Sequence, residues 1–549
     1  MQDKTNGRII SRFSKEDQSI LDKIEYLINV NDYIGAVQLI KSRLAKEFSY
    51  EDFINDFFHI ELARLLIDAG SEGHIENIVR EGIRELETYY RTCNVLTEGD
   101  FHYNIGIAKD SLFSILTNEP YFKIPENISY LIEAKDHYWT ALKYYQNNEI
   151  EPPIQLYVNL GNVLYSCNRL TEAIQMYDIV LKKNPDFPQA NINRSRCLLY
   201  LNIITETFTT NQLMQALMGF KKALKSEIYP ITWRKIAQDM VKSLTKKLIE
   251  LNVDINSYEH ENIISRIEAQ QHSEYRNFCI ERKICLNEHS IYCNCAGARN
   301  DDLNISNKGI IGDFVPEMEL VLNRIKSEFV LARWLFYEAK TSFSKVDEII
   351  NENVQYIELF EGEFIGAKSE MIRNSFRLCF GILDKIALAI CKLFDLSKPN
   401  DNISFHTFWK RDNKPERWKK IKAIENPFII ALYTLATDLN QNGQLKYYKD
   451  WRNDLEHNVM ILSNSEKNES FYFKKEDSNP IYKYVKVSQF IISTEHLLHL
   501  SASAIMYFVY AVRHVGLIID EPSKLGTFQL NTKSKFANNT DVSRNTILN

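Results

Sequence analysis

Four residues separate Arg452 from His457 in the run Asp450-Trp-Arg-Asn-Asp-Leu-Glu-His457, inside a helix-forming segment flanked by tyrosines and leucines. A guanidinium stays charged at any cellular pH and can grip a phosphate with two parallel hydrogen bonds, whereas an imidazole titrates near neutrality and can move a proton. Together they supply what RNA cleavage needs without a metal: a stabiliser for phosphoryl charge and a proton carrier. Spacing alone does not select the pair, because the chain has 24 arginines and 12 histidines, and Arg266–His272 and Arg282–His289 satisfy the same loose rule. Context must do so.

Helical geometry constrains the pair further. Five positions of a regular helix turn through about 140 degrees, so Arg452 has to reach round with its long stem while Asn453 shares the face of His457. Asn453 is therefore the candidate orienting residue. The bland alternative is an i,i+4 pair between Arg452 and Glu456, with His457 ending a packed face.

Substrate capture has its own candidates between Phe405 and Lys422. Lys410, Arg411, Lys414, Arg417, Lys419, Lys420 and Lys422 face only Asp412 and Glu416, interleaved with Phe405, Phe408, Trp409 and Trp418. Cations can neutralise phosphates while rings stack on unpaired bases, and Lys410, Arg411, Arg417, Trp418, Lys419 and Lys420 are the RNA-contact expectation. A solvated loop anchored by its tryptophans would have the same composition.

The elements that position these groups are helical. At 549 residues, with 45% apolar and 25% charged residues and only 18 glycines and 13 prolines, the chain reads as an all-α protein of several domains. Its net charge of −6 gives no global pull on nucleic acid, so RNA affinity must be local. The amino terminus lacks the apolar core of a secretory signal. The apolar run near 504–519 is broken by Arg513 and His514, and nine cysteines are scattered along the chain. A cytoplasmic location without membrane insertion is the expectation.

Residues 1–225 carry a helical repeat. Tyr157, Leu160, Gly161, Leu164, Ala173, Tyr177, Val180 and Pro185 occupy the packing positions of the 34-residue tetratricopeptide (TPR) pattern, with partial copies at Ala134, Tyr138, Ala141 and at Ala216, Phe220, Ala223. Three to five irregular hairpins follow from this, and their exposed surface is the expected seat of a protein or peptide trigger. Residues 226–318 form a helical linker region. Its Cys279, Cys285, His289, Cys293 and Cys295 lack the paired intervals of common zinc modules, so reduced thiols are preferred to a metal site. No cofactor is expected.

From 319 to 520 the apolar residues again recur at helical intervals, over 317–342, 369–396, 425–440, 444–463 and 488–518. Two alternating runs around Ser478-Asn479-Pro480, Phe471–Lys475 and Ile481–Val487, read as a small β-hairpin insertion. Residues 521–549 turn polar and read as a disordered tail.

This bundle resembles the HEPN superfamily, helical domains named from higher-eukaryote and prokaryote nucleotide-binding proteins, whose ribonuclease members carry an Arg-x(4-6)-His motif. Here the motif is Arg452-Asn-Asp-Leu-Glu-His457, including the asparagine that often follows the arginine. Met371-Ile-Arg-Asn-Ser-Phe-Arg-Leu-Cys-Phe-Gly-Ile-Leu-Asp-Lys-Ile-Ala387 resembles the preceding long helix in a large bacterial branch, and Arg276-Asn-Phe-Cys-Ile280 with Leu286-Asn287 its approach to the domain. A TPR-like array often precedes the nuclease there. The resemblance implies a homodimer through the HEPN domain that brings two motifs into one cleft, and a metal-independent endoribonuclease acting as a toxin-like or antiviral effector. Asp384 on the facing helix is a second-tier candidate. The chain departs from the pattern in its hairpin insertion and in Glu456. The competing expectation is a non-catalytic TPR scaffold whose bundle binds nucleotide, RNA or protein.

Overall fold

The computed structural model describes residues 12–46, 52–90, 97–118, 120–205, 209–226, 231–255, 273–294, 296–306, 308–310, 313–341, 345–357, 359–360, 362–398, 401–410, 414–464, 481–516 and 527–529. Helices pair along the first half as α1 (Lys15–Asn29) with α2 (Tyr33–Leu44), α3 (Asp52–Glu72) with α4 (Glu76–Tyr90), and α5 (Glu98–Leu116) with α6 (Ile128–Asn147). The series continues with α7 (Ile154–Ser166) against α8 (Leu170–Lys183) and α9 (Pro188–Ile204) against α10 (Thr210–Ala223), closed by α11 (Ile231–Glu250). Each amphipathic helix buries its apolar stripe against its hairpin partner and the next hairpin, as a stacked array requires.

Small residues set the spacing inside the hairpins. A Cβ on Gly161 of α7 would lie 2.6 Å from the Tyr177 ring of α8, and one on Gly106 of α5 would lie 2.6 Å from the Tyr138 ring of α6. The tyrosine in each second helix thus packs onto bare backbone of the first. The hairpin α9–α10 reverses the arrangement, with Gly219 of α10 against the Ser195 side chain of α9.

A connecting region holds α12 (Glu274–Glu281) and two short 3₁₀ turns. It is organised by Asp301, whose carboxylate receives Arg333 Nη1 and Nη2 at 2.9 and 2.8 Å, Arg276 at 2.9 Å and the Leu286 N–H at 2.8 Å. Burial opposes the charge, but the two guanidiniums hold Asp301 well below the usual carboxylate range. Cys279, Cys285 and Cys293 are buried, and Cys295 lies outside the described residues.

The carboxy-terminal bundle is built on three long helices, α13 (Val315–Thr341), α15 (Ala367–Leu393) and α19 (Val487–Gly516), with the short α14 (Lys345–Ile350) between the first two. Helix α19 is buried from Leu500 to Val512, as its near-continuous apolar sequence demands. Helices α16 (Pro415–Ala423), α17 (Pro427–Asp438) and α18 (Lys446–His457) complete the bundle. No described helix is long and apolar enough to cross a membrane.

The second strand of the expected hairpin is present as Tyr482–Lys486, and it pairs with residues that follow α18. Helix α18 stops at His457, where Asn458 turns extended (φ −128°, ψ −179°), and Val459–Ser463 becomes a strand. That strand pairs in parallel with Tyr482–Lys486, register Val459↔Tyr482. The run Val-Met-Ile-Leu favours a pleated, half-buried surface over another helical turn. The expected strand at 471–475 and the turn around Pro480 lie outside the described residues. A second ladder joins Lys308–Ile310 antiparallel to Thr527–Gln529, so three residues of the tail read as disordered are paired.

Array and bundle meet through buried charge. Lys135 of α6 and Arg169, just before α8, both reach Asp438 at the end of α17, Arg169 Nη1 at 2.6 Å. Arg169 also holds Glu172 of α8, whose carboxylate accepts the Tyr507 hydroxyl of α19 at 3.2 Å. Burial resists ionisation of Asp438, yet Arg169 and Lys135 overcome it and its pKa falls.

Candidate functional site

Helix α18 is anchored by one apolar stripe. Tyr448, Trp451 and Leu455 are buried, with Tyr448 and Trp451 packed on Phe376 of α15 at 5.8 and 6.2 Å between ring centres and Trp451 on Phe490 of α19 at 5.5 Å. Their spacing fixes the helix rotation, leaving Arg452 and Asn453 half-buried at its flank and His457 exposed at its end.

Two arginines of α15 hold that end in place. Arg377 donates Nη2 to the Leu455 carbonyl and lies 3.7 Å from Glu456, and Arg373 donates Nη2 to the Met460 carbonyl at 2.8 Å. The last carbonyls of a helix have no internal partner, and cations satisfy them while complementing the helix dipole. From the other side Lys483 pairs with the buried Asp454 at 3.0 Å, and Asn458 Nδ2 donates to Asp454 Oδ1 at 2.8 Å. Glu456 is thus engaged by Arg377 across the helix gap rather than by Arg452.

Arg452 donates Nη1 to Asn453 Oδ1 at 3.3 Å, so the asparagine touches the guanidinium and not the imidazole. Among the described residues neither Arg452 nor His457 makes an ion pair, and the two are not hydrogen-bonded to each other. Within one chain the motif therefore has two arms: Arg452 at the flank and His457 at the tip.

Around Arg452 the chain gathers charge. Asp384 on α15 accepts the Phe405 N–H at 2.8 Å, which ties the 401–410 loop to the facing helix. Burial raises the Asp384 pKa, opposed by the Phe405 hydrogen bond, Arg452 and Lys385. His406, next along the loop, is pushed down to about 4 by burial and then by Lys449, Lys410 and Arg452. It is a neutral imidazole at physiological pH. Arg452, Lys449 and Lys410 thus converge electrostatically on one loop whose nearby carboxylate is Asp384, while Lys385 is engaged by Glu328 at 2.9 Å. Such a surplus of cations suits a phosphate.

His406 and Lys449 were not singled out from sequence. Lys449 precedes Arg452 by three residues and so shares its helix face, a spacing that could have found it. His406 sat unread among the aromatics of its stretch.

The basic, aromatic stretch divides in the structure. Lys410 is half-buried beside His406, Lys419 is exposed, and Arg411 lies outside the described residues. Arg417 is turned inward, with Nε donating to the Leu396 carbonyl at 2.8 Å and Nη2 to Asp401 at 2.6 Å. Lys420 holds Asp395 at 2.8 Å, Lys414 also pairs with Asp401, and Lys422 pairs with Glu126 of the array. Phe405, Phe408 and Trp409 are buried, and Trp418 rests on Tyr433 at 5.3 Å. Three of the four rings expected to stack on bases instead anchor the loop, because a large ring gains more from burial than from water. Arg417 ties that loop through Leu396 and Asp401.

No group of three or more His, Cys, Asp or Glu side chains is arranged to hold a metal ion among the described residues. Of the other two Arg/His pairs, Arg266 and His272 lie outside them. Arg282 pairs with Glu495 at 2.8 Å, while His289 rests beside the Tyr292 ring at 5.5 Å.

No curated protein and no solved structure matches the chain. Residues 312–514 match the family model described as LA2681-like HEPN, a span that contains α13 to α18, both arms of the motif and nearly all of α19. The carboxy-terminal bundle is therefore a HEPN domain.

Proposed function

We propose that the protein is an endoribonuclease in which Arg452 and His457 cut RNA by acid–base chemistry, with Asn453 orienting the guanidinium. One observation carries this reading: the HEPN domain presents His457, exposed, on a helix end clamped by Arg377 and Arg373, while Arg452 flanks a loop toward which Lys449 and Lys410 also converge.

The chemistry follows from these groups. His457 accepts the proton of a ribose 2′-hydroxyl as its oxygen attacks the adjacent phosphorus, and Arg452 stabilises the charge that builds on the phosphoryl oxygens. Proton delivery to the leaving 5′-oxygen ends the step, giving a 2′,3′-cyclic phosphate. These groups need no divalent ion for it. Lys410, Lys419 and Lys449 draw the RNA backbone.

The two arms of one motif do not touch, which favours assembly of the site from two chains. In a symmetric homodimer His457 of one subunit can face Arg452 of its partner, and a second imidazole serves as the acid. Val459 is 48% exposed and Ile481 78%, and the Val459 N–H donates to the Ile481 carbonyl at 3.1 Å, so His457 is followed by an open apolar edge of the kind such pairing would cover. The array, joined to the bundle through Lys135, Arg169 and Asp438, takes the role of regulator of a toxin-like or antiviral effector.

Cleavage of total RNA in EDTA, followed by end-group analysis, tests the chemistry. Fragments ending in 2′,3′-cyclic phosphate are the expected product. Fragments with 3′-hydroxyl ends, or a strict need for a divalent ion, would contradict it, and intact RNA would favour the scaffold reading.

A further inference from the structure

Array and bundle border an open cleft of about 1300 Å³ between α8 and α19. That exceeds the roughly 300–1,000 Å³ of ordinary small-molecule sites. Its charge is arranged unevenly. On the array side Asp178 takes both Arg194, at 2.6 Å, and Lys283. On the bundle side Glu495 takes both Arg282, at 2.8 Å, and Lys340, at 2.6 Å.

Each carboxylate is therefore shared by two cations, which leaves positive charge over on both walls. Lys182 on α8 adds another cation, with no ion pair among the described residues. Glu172 is already neutralised by Arg169, so Glu281 is the remaining counter-charge on the lining. The surplus of cations calls for a ligand rich in anionic groups.

The lining also touches the motif helix. His496, on the cavity wall, is hydrogen-bonded through Nδ1 to the Tyr448 hydroxyl at 2.9 Å. Tyr448 is buried in α18 against Trp451, immediately before Arg452. A ligand that shifts α19 or the His496 ring therefore acts on the helix that carries the motif.

We propose that this cavity binds a small molecule bearing several phosphate groups, and that its occupancy is transmitted through His496 and Tyr448 to the helix carrying Arg452 and His457. The transmission deepens the ribonuclease reading and rests on it for its meaning; the binding site stands without it. A polyphosphate displaces neither carboxylate: it takes the open sides of Lys283 and Arg282 together with Lys182.

Titration calorimetry of the full chain with ATP and, separately, inorganic tripolyphosphate tests the site without reference to RNA cleavage. Binding is expected, weakened at least about tenfold by Lys182→Glu and by filling the cavity with Ile179→Trp. Tripolyphosphate matching ATP would mean that phosphates alone are recognised; tighter binding of ATP would mean that the base and sugar contribute. Hydrogen exchange of residues 446–457 should change on binding, and in Tyr448→Phe binding should persist while that response disappears. Absence of binding by either anion, or binding untouched by both cavity variants, overturns the site. Binding without altered exchange in α18, or an unaltered response in Tyr448→Phe, overturns the transmission. An RNA assay that fails while these measurements succeed bears only on the catalytic reading.

Discussion

Arg169, from the helical array, donates Nη1 to Asp438 of the bundle at 2.6 Å, with both side chains almost fully removed from water. Removing one member of such a pair strands the others, and that penalty is about 3–5 kcal/mol. Asp438→Asn should therefore lower stability by that order and loosen the array from the bundle. Chemical denaturation should show one transition for the parent and two for the variant. A variant as stable as the parent would mean that Lys135 and Arg169 find other partners.

Arg377 acts on the next helix, α18, by capping the Leu455 carbonyl near its carboxy-terminal end. Arg377→Ala removes one charge-assisted hydrogen bond, worth about 1.5–3 kcal/mol, and frees the turn that carries His457. RNA cleavage should fall more steeply than thermal stability accounts for, because the imidazole loses its position. Arg377→Lys should restore part of the stability and less of the activity, since a single ammonium does not reproduce the planar fork. Activity that tracks melting temperature alone across the two variants would assign Arg377 a purely structural role.

Acid should weaken the fold before it protonates most carboxylates. His137, His406, His496 and His499 are each pushed down to about 4, burial being the largest cause. An unfolded histidine titrates near 6.5, so between about 6.5 and 4 the unfolded state binds more protons and stability declines as pH falls. Above about pH 7 this contribution is flat. Thermal melts from pH 7.5 to 5 should show the decline, and His499→Gln should reduce its slope. An identical slope in the variant would show that His499 does not titrate with unfolding.

Gly161 tests the repeat. A methyl group there meets the Tyr177 ring at 2.6 Å, in a hairpin whose second helix lies against the bundle. Gly161→Ala should destabilise by about 1–3 kcal/mol, the range for overpacking. Pairing it with Tyr177→Leu should recover part of the loss, which a double-mutant cycle would read out.

Much of the architecture was legible because it rests on local periodicity. The spacing of Gly161, Ala173 and Tyr177 announces a helix hairpin, and Phe376, Phe380, Leu383 and Ile390 announce the long helix α15. What escaped depends on contacts distant in sequence. Nothing near Arg417 says that its guanidinium turns inward to Leu396 and Asp401, and nothing near Val459 says that its strand finds Tyr482 in parallel. The buried rings of Phe405, Phe408 and Trp409 show the same limit: an aromatic beside lysines suits a core anchor and a base platform equally, and only the third dimension separates them. At the candidate site, Arg452, Asn453 and His457 were readable from the motif, whereas His406 enters only because Asp384 draws its loop against α15.

RNA cleavage requires Arg452 and His457 to act together. Parent protein, His457→Ala and Arg452→Ala, each shown by thermal melting to be folded, should be compared for RNA cleavage in EDTA, alone and as a mixture of the two variants. The parent should cut, each variant alone should lose at least about a hundredfold, and the mixture should regain part of the activity, because a hybrid dimer restores one Arg452–His457 pair across the interface while lacking the second imidazole. Undiminished cleavage by either folded variant would contradict the central claim.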